Sequence, residues 1–290
     1  MSGLTPEQYV KTAEDLMAAK MYSLAACVMI YYDIMLTFAD EVELIWSKKF
    51  SFFSLLWYIN RYVSPLGYVV IIVSFHDRWS DAVCDRYILF PEALKISTSL
   101  AIGVIFILRL YALYQGRKIV VVLGSILLAG ELGIKIWAFT CGTRLQLPPG
   151  LVGCILVGKP DLRIAFTWIS ELIFDSIVFF ATLYRAISSH SRVKGQRRVS
   201  LFDVMIRDGV IYFGVIFVAN LLTVLMFMLA PADIKAINAS FSTLITNLMV
   251  SRMILHMRSV GSKYDQDQSF ELNRVMRKAP VPNRNQSAFL

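Results

Sequence analysis

The sequence predicts an all-α integral membrane protein in which seven transmembrane helices form one bundle. Of its 290 residues, 57% are hydrophobic and 17% are charged, whereas soluble domains usually carry about 25% charged residues. The mean hydropathy is +0.59. Seven apolar runs of spanning length follow one another, and Lys and Arg concentrate in alternate connections between them.

The third apolar run shows how the predicted helices meet the membrane boundary. Its uncharged centre, residues 96–108, covers roughly 20 Å at ~1.5 Å per residue, which is less than the ~30 Å core of a bilayer. Glu92 and Lys95 at one end, or Arg109 at the other, therefore lie within the membrane boundary or extend along it. We predict a spanning helix with a polar outer end and a basic inner end.

The chain is predicted to form one transmembrane domain, residues 21–258, between two polar ends. Residues 1–20 form a short polar segment and not a cleavable signal peptide, so the first helix is expected to direct insertion. The tail, residues 259–290, is expected to be disordered in the cytoplasm because it is polar and poor in apolar residues. The predicted spans are residues 21–43, 51–74, 87–114, 119–140, 163–187, 209–230 and 236–257.

The distribution of basic residues predicts the orientation of the bundle. With the N-terminus outside, 18 Lys and Arg residues lie on the inner side and 9 on the outer side, while Arg61 and Lys135 lie within the membrane. This bias predicts an outer N-terminus and a cytoplasmic C-terminus, which is a receptor-like topology. The net charge of +8 follows from this topology, so the expected partner is the lipid bilayer and not nucleic acid. The expected location is the plasma membrane, with an endomembrane as the alternative.

Three of the four cysteines fall on the predicted outer face, where oxidation is permitted. Cys27 lies in the first span and is expected to be a small apolar filler. Among the three outer pairings we predict a Cys84–Cys154 disulfide, which ties the start of the third span to the second outer loop. Competition by Cys141 for Cys84, and three free thiols, remain as alternatives.

Asp33 in the first span and Arg61 in the second are predicted to form an ion pair inside the membrane. At ~1.5 Å per residue their depths coincide within a few ångström, and each alone would be an uncompensated buried charge. We interpret the pair mainly as a contact that fixes helix packing, with a ligand contact as the alternative. Asn60, Asn220 and Asn247 are expected to form interhelical hydrogen bonds.

Three pairs of ionisable residues in the predicted outer half are the candidate ligand site. They are Glu92 and Lys95, Glu131 and Lys135, and Glu171 and Asp175. Their spacing of three or four residues places each pair on one helical face. Two carboxylates on one face repel each other unless one is protonated or a cation lies between them. If the faces converge, they form an outward-opening pocket for a cationic or hydrogen-bonding ligand; in the alternative, Glu92 and Lys95 lie at the level of the lipid headgroups.

The predicted third inner loop, residues 188–207, is strongly basic. The positive-inside rule and attraction to anionic lipid explain most of this charge. The stretch Arg197-Arg198-Val199-Ser200 also has the pattern that basophilic kinases prefer, so Ser200 is a weak candidate for phosphorylation. A phosphate there would reduce the positive charge of the loop and release it from lipid.

The sequence lacks the residue patterns of the common membrane enzyme classes. His76, His190 and His256 fall in an outer loop, in an inner loop and at the inner end of the last span, so they do not predict a zinc site. The last span has no lysine for a retinal Schiff base, and no phosphate-binding glycine loop or nucleophile motif occurs. We therefore expect no enzyme activity, no catalytic residues, no metal and no cofactor.

Short stretches in the first three spans carry a family resemblance. They are Tyr32-Asp33, Glu41–Trp46, Asn60-Arg61-Tyr62 and Leu108–Tyr114. In these stretches the chain resembles a family of fungal, mainly basidiomycete, integral membrane proteins whose activity is not established. That family opens with a domain of unknown function over the first two helices, here about residues 28–75. The resemblance implies a seven-helix membrane protein, and it singles out Asp33, Glu43, Trp46, Arg61 and Arg109 as candidates for fold or function.

The third span also has a looser resemblance to rhodopsin-like G-protein-coupled receptors. Arg109-Leu110-Tyr111 occupies the place of their Asp-Arg-Tyr triplet, but Leu108 replaces the acid and the last span lacks their Asn-Pro-x-x-Tyr sequence. The shared features are the topology and an outer disulfide. The resemblance implies a cytoplasmic coupling role for Arg109, but analogy of fold does not establish signalling.

We expect a receptor or sensor that takes a small ligand in the outer half of the bundle. Its third inner loop and its tail would then face cytosolic signalling partners. The first alternative is a small-solute or ion transporter, which requires polar residues that continue to the inner face. The second alternative is a structural membrane protein without a ligand, in which every buried charge serves helix packing.

Overall fold

The fold is a bundle of long helices, given by a computed structural model. It describes residues 5–87, 89–140, 142–144, 150–154, 156–158, 161–193, 201–229 and 237–278. The helices are α1 (Pro6–Glu41), α2 (Phe52–Tyr58), α3 (Ser64–His76), α4 (Asp81–Tyr87), α5 (Phe90–Leu113), α6 (Lys118–Phe139), α7 (Asp161–Val193), α8 (Leu201–Leu229) and α9 (Ile237–Lys278). A π-helical turn, Val42–Trp46, follows α1, and a second, Ile59–Val63, joins α2 to α3.

Six helical segments of the described chain are long and apolar enough to cross a membrane. They are Pro6–Trp46, Phe52–His76, Asp81–Leu113, Lys118–Phe139, Ala165–Ser188 and Gly209–Leu229. Large apolar side chains are exposed along them, including Val122, Leu123 and Ile126 on α6 and Val218 and Leu222 on α8. Such extended apolar surface is compatible with lipid and not with water. The protein is therefore an integral, multi-pass membrane protein.

The helices are arranged in a ring, with α5 towards its centre. Helix α1 packs against α3 and α9, and the order continues through α8, α7 and α6 to α5. Helix α5 also contacts α2, α3 and α7. Its Phe106 is fully buried and meets Phe213 of α8 edge to face, with ring centroids 4.8 Å apart. Trp57, Ile216 and Met253 extend this apolar core to α2, α8 and α9, so the middle of the bundle is built on the third predicted span.

Helix α1 begins well before the first apolar run. Thr5 accepts a hydrogen bond from the Gln8 backbone N–H, the Gln8 side chain accepts one from the Thr5 N–H, and Pro6 occupies the first helical turn. This capping box fixes the helix start. Residues 6–20 of the predicted short polar segment are therefore helical, because their polarity reflects contact with water and does not prevent a helix.

Helix α9 corrects the expectation of a disordered tail from residue 259. The helix continues to Lys278, because no proline interrupts it before Pro280 and proline is the residue that ends helices most strongly. Arg258 fixes the point where the extension starts, since its Nη1 donates to the Leu44 carbonyl at 3.0 Å and its guanidinium lies over the Phe53 ring. Residues 279–290 lie outside the described residues.

A short hairpin and a disulfide lie at the end of the bundle where α5 begins. Strands β1 (Gly142–Arg144) and β2 (Leu156–Gly158) pair antiparallel. Cys84 and Cys154 form a disulfide with Cα atoms 5.7 Å apart, which is the pairing expected from the sequence. The Cys154 N–H also donates to the Ser74 carbonyl at 3.2 Å, so this loop is attached to both α3 and α4. Cys141 lies outside the described residues, and Cys27 is a buried free thiol.

Candidate functional site

Lys135 of α6 lies at the centre of a buried cluster of charged side chains. Its side chain is fully buried. Its Nζ donates to Glu131 Oε1 at 2.5 Å and to Ser99 Oγ at 2.5 Å, and it lies 3.1 Å from Glu171 Oε2. Because Ser99 belongs to α5 and Glu171 to α7, this ammonium group joins three helices. We define the Lys135 cluster as six residues: Glu92, Lys95, Glu131, Lys135, Glu171 and Asp175.

Lys95 forms the more accessible edge of the Lys135 cluster. Its Nζ lies 3.6 Å from Glu171 Oε2 and 3.0 Å from the centre of the Trp168 ring. The Lys95 and Glu171 side chains are 14% and 13% exposed, whereas that of Lys135 is not exposed. Glu92, one turn before Lys95, is half-buried. This edge therefore offers a carboxylate and an aromatic face to a positively charged group, a combination that attracts ammonium ions.

Asp175 connects the Lys135 cluster to α8 and α9. Its Oδ2 accepts a hydrogen bond of 2.5 Å from Asn220 Nδ2. The Oδ1 atom of the same amide accepts a hydrogen bond from Ser242 Oγ. Asn220 therefore forms interhelical hydrogen bonds, as its sequence position implied, and one of its partners is a candidate ligand residue.

The charges of the Lys135 cluster do not balance. It contains four carboxyl groups and two ammonium groups, so full ionisation leaves two negative charges in surplus. Such a surplus inside a membrane protein requires protons or a positively charged guest. Among the described residues, no group of three or more His, Cys, Asp and Glu side chains is arranged to hold a metal ion.

A second charged cluster surrounds Arg61 in the π-helical turn between α2 and α3. Arg61 Nη1 lies 3.0 Å from Asp33 Oδ2, and its Nε lies 3.3 Å from Glu41 Oε2. Its Nη2 donates to Thr37 Oγ1 and, at 3.4 Å, to the Ile34 carbonyl. The predicted Asp33–Arg61 pair is therefore part of a larger set in which every guanidinium nitrogen has an acceptor.

Three further side chains donate hydrogen bonds to Asp33 or Glu41. We define the Arg61 cluster as the charged residues Asp33, Glu41, Arg61 and Arg252. Arg252 Nε of α9 donates to Asp33 Oδ1. Glu41 Oε1 accepts hydrogen bonds from Trp46 Nε1 at 2.9 Å and from the Tyr62 hydroxyl. Two carboxylates thus face two guanidinium groups. Both π-helical turns contribute to this geometry, because Glu41 directly precedes the first and Arg61 lies in the second, and such turns are frequent at functional sites.

Sequence reasoning found only half of the Arg61 cluster. It singled out Glu43, which is exposed, whereas the buried acid is Glu41. A spacing of four residues from Asp33 through Thr37 to Glu41 places all three on one face of α1, and this pattern was present in the sequence. The distribution of basic residues counts Arg252 among the 18 inner Lys and Arg residues, and nothing in the sequence indicates its contact with Asp33.

Amide side chains link the π-helical turn Ile59–Val63 and the start of α3 to α9. Asn60 Nδ2 donates to the Asn247 carbonyl at 3.0 Å and to Ser251 Oγ at 2.9 Å. Asn247 Nδ2 donates to Ser64 Oγ. Helix α9 thus reaches the Lys135 cluster indirectly, through Ser242 and Asn220, and contacts the Arg61 cluster directly through Arg252.

Arg109 lies apart from both clusters, against α8. Its guanidinium is 4.9 Å from the centre of the Phe213 ring. It also packs on Gly209, where an added Cβ would lie 1.7 Å from Arg109 Nη2. Ser200, the candidate phosphorylation site, lies outside the described residues. A cavity of about 350 Å³ beside the disulfide is lined by residues 77–79, 81, 84 and 150–154, so none of the six predicted ligand residues lines it.

The family match of this chain lies within the first two predicted spans and the connection between them. Residues 21–66 match a family of unknown function, DUF6533. Every member of the Arg61 cluster except Arg252 lies in this segment, and no member of the Lys135 cluster does. No curated protein of known function matches the chain.

Proposed function

We propose that this protein is a receptor- or sensor-like membrane protein that binds a small organic cation at the Lys135 cluster. The observation that carries the proposal is the surplus of carboxylates in that cluster, where the Glu171 side chain is 13% exposed. A cationic ligand that binds there would remove electrostatic repulsion that the protein alone leaves uncompensated.

The proposed ligand is an organic molecule with an ammonium group, and it is not a metal ion. Lys95 already places an ammonium group 3.0 Å from the centre of the Trp168 ring and 3.6 Å from Glu171 Oε2. A ligand amine would find the same two partners when Lys95 moves aside. The aromatic face favours an organic cation because the attraction does not require the close oxygen ligands that a metal ion needs.

In this proposal α9 is the seventh transmembrane helix, the N-terminus is outside, and the C-terminus is cytoplasmic. The first half of α9 packs between α1 and α8, and its many buried Ser, Thr and Asn side chains explain a lower hydropathy than in the other helices. The twofold bias of Lys and Arg supports this orientation. Tags at both termini of intact cells should respond differently to external protease, and equal digestion of both tags would refute the layout.

Helix α9 would transmit the binding event through the bundle. Ser242 contacts the Asn220 amide that holds Asp175, and Arg252 contacts Asp33. A ligand that displaces these side chains would shift the helix that continues to Lys278. That extension and the third inner loop are the surfaces proposed for a cytosolic signalling partner. The proposal includes no catalysis, no cofactor and no bound metal.

A thermal-shift screen of the purified protein tests this function. Monoamines and diamines should raise the unfolding midpoint, whereas divalent metal ions at equal ionic strength should not. Glu171→Gln should remove the amine effect, because it deletes the carboxylate shared by both lysines. Glu43→Gln is the matched control, since Glu43 is exposed and distant in sequence from the cluster. An amine effect that is equal in all three proteins would rule out the Lys135 cluster as the binding site.

An ion pathway is the second candidate, and one observation favours it. Buried polar residues continue along α9 from the Lys135 cluster towards the Arg61 cluster; they are Ser242, Thr246, Asn247 and Ser251. The transport alternative requires such continuation, which α5 does not provide. Proton or cation flux into liposomes that contain the purified protein, lost in Asp175→Asn, would support this function over sensing.

A further inference from the structure

Several buried polar atoms at the centre of the bundle have no hydrogen-bond partner within the described residues. Asn60 Oδ1, Thr246 Oγ1 and Asn247 Oδ1 are acceptors of this kind, and Trp57 Nε1 is a donor. Trp57, Asn60 and Asn247 have no exposed surface, and Thr246 is 4% exposed. Neither lipid nor bulk water can reach these atoms, so their hydrogen-bonding capacity requires a bound guest.

The amide groups cannot be satisfied by exchanging their nitrogen and oxygen atoms. Asn60 must direct Nδ2 at the Asn247 carbonyl, because a carbonyl only accepts. Its Oδ1 therefore remains without a partner. For Asn247, exchange would let Oδ1 accept from Ser64, but the NH2 group would then be the unpaired group. A partner is missing in either arrangement.

Thr246 differs from four other threonines of the described helices in its hydrogen bonding. A threonine in a helix commonly donates its hydroxyl to the carbonyl four residues earlier. This bond is present at Thr98, Thr182, Thr223 and Thr243. The Thr246 hydroxyl has no such contact, so it is free to bind a guest. It is also adjacent in sequence to Asn247, whose carbonyl contacts Asn60.

The atoms without a partner include both hydrogen-bond acceptors and a donor, and this mixture indicates which kind of guest can satisfy them. A metal ion would bind the oxygen atoms but would leave Trp57 Nε1 unsatisfied, and an anion would do the reverse. Water both donates and accepts, and buried waters typically make about three hydrogen bonds. We propose that a small group of water molecules is bound at Trp57, Asn60, Thr246 and Asn247, between the Lys135 cluster and the Arg61 cluster.

Bound water at this place completes the polar connection along α9. Ser242 lies four residues before Thr246, and Ser251 lies four residues after Asn247, so each adjacent pair lies on one helical face. Ser242 reaches the Lys135 cluster through Asn220, and Arg252 reaches Asp33. The interface between α9 and the segment Phe52–His76 then consists of hydrogen bonds that can be exchanged with those of bound water. The contacts between α5 and α8, in contrast, are apolar.

Hydroxyl radicals produced inside the protein by X-ray pulses test this proposal, because they modify buried side chains only where water is bound. Trp57 should be modified several-fold faster than Met253, a side chain of comparable reactivity that is 1% exposed in the apolar core. In isotope-labelled water the Trp57 product should carry the label. No ligand is used, so the result is independent of whether the Lys135 cluster binds a cation.

Two variants of α9 sharpen the test. Thr246→Val keeps the side-chain shape but removes one water ligand, so it should reduce Trp57 modification several-fold. Thr243→Val is the control, because the Thr243 hydroxyl already bonds to the Ala239 carbonyl, and it should leave Trp57 modification unchanged. Equal protection of Trp57 and Met253 in the unmodified protein would overturn the proposal, whatever the variants do.

Discussion

The two charged clusters of this bundle both combine carboxylates with basic side chains, but they differ in the balance of their charges. The Arg61 cluster pairs two guanidinium groups with two carboxylates, and Trp46 and Tyr62 satisfy the remaining Glu41 oxygen. The Lys135 cluster has four carboxyl groups for two ammonium groups, and its edge is partly exposed. A cluster whose charges balance fixes helix packing, whereas one with surplus carboxylates can gain from a cationic ligand.

The largest effect that separates the clusters is expected at Arg61. Arg61→Leu should lower the free energy of unfolding by about 3–5 kcal/mol, because it leaves buried carboxylates without their main partner. Detergent-to-SDS unfolding curves of the purified protein would measure this change. Lys95→Leu, at the accessible cluster, is the matched control and should cost clearly less. Equal losses would mean that both clusters serve packing alone.

The next largest effect is the difference in stability between substitutions at Asp33 and at Asp175. Asp33→Asn should cost about 3 kcal/mol, since Asp33 is the shared partner of Arg61 and Arg252 in a buried site. Asp175→Asn should change stability by less than about 1 kcal/mol or increase it, because it removes one surplus charge and keeps a side chain that can bond to Asn220. The same unfolding assay applies to both variants. A loss at Asp175 as large as that at Asp33 would contradict the charge surplus.

Composition and hydropathy were sufficient to predict a helical membrane protein, but they did not reveal where the helices end. An apolar run reports the part of a helix that contacts lipid, and α1 and α9 extend far beyond it. Residues 6–20 and 259–278 are polar because water surrounds them, and polarity does not distinguish a solvated helix from a disordered segment. The capping box at Thr5 was the local feature that predicts the true start of α1.

The charged sites were predictable to the extent that helical periodicity controls them. Spacings of three and four residues predicted that each of the three pairs lies on one helical face, but they did not predict that the faces converge, as the contacts of Lys135 and Lys95 with Glu171 show. Periodicity favours Glu41, which lies four residues after Thr37 and eight after Asp33 in α1, whereas Glu43 was singled out by the family resemblance alone and follows the start of the π-helical turn at Val42. Contacts between distant parts of the chain, such as Arg252 with Asp33 and Lys95 with Trp168, have no signature in a single sequence.

The smallest effect concerns Arg109, a half-buried cation that belongs to neither cluster. Alanine favours a helix over glycine by about 1 kcal/mol, so Gly214→Ala on α8 should stabilise the protein slightly, because its nearest neighbour, Phe179, would lie 3.7 Å from the new Cβ. At Gly209 the new Cβ would lie 1.7 Å from Arg109 Nη2, so Gly209→Ala must displace the guanidinium, at a cost of about 1–3 kcal/mol. The difference between the two unfolding midpoints measures how firmly packing on Gly209 and Phe213 holds Arg109. If both variants are equally stable, the guanidinium of Arg109 can be displaced from Gly209 at little cost, as the coupling role implied by the receptor resemblance requires.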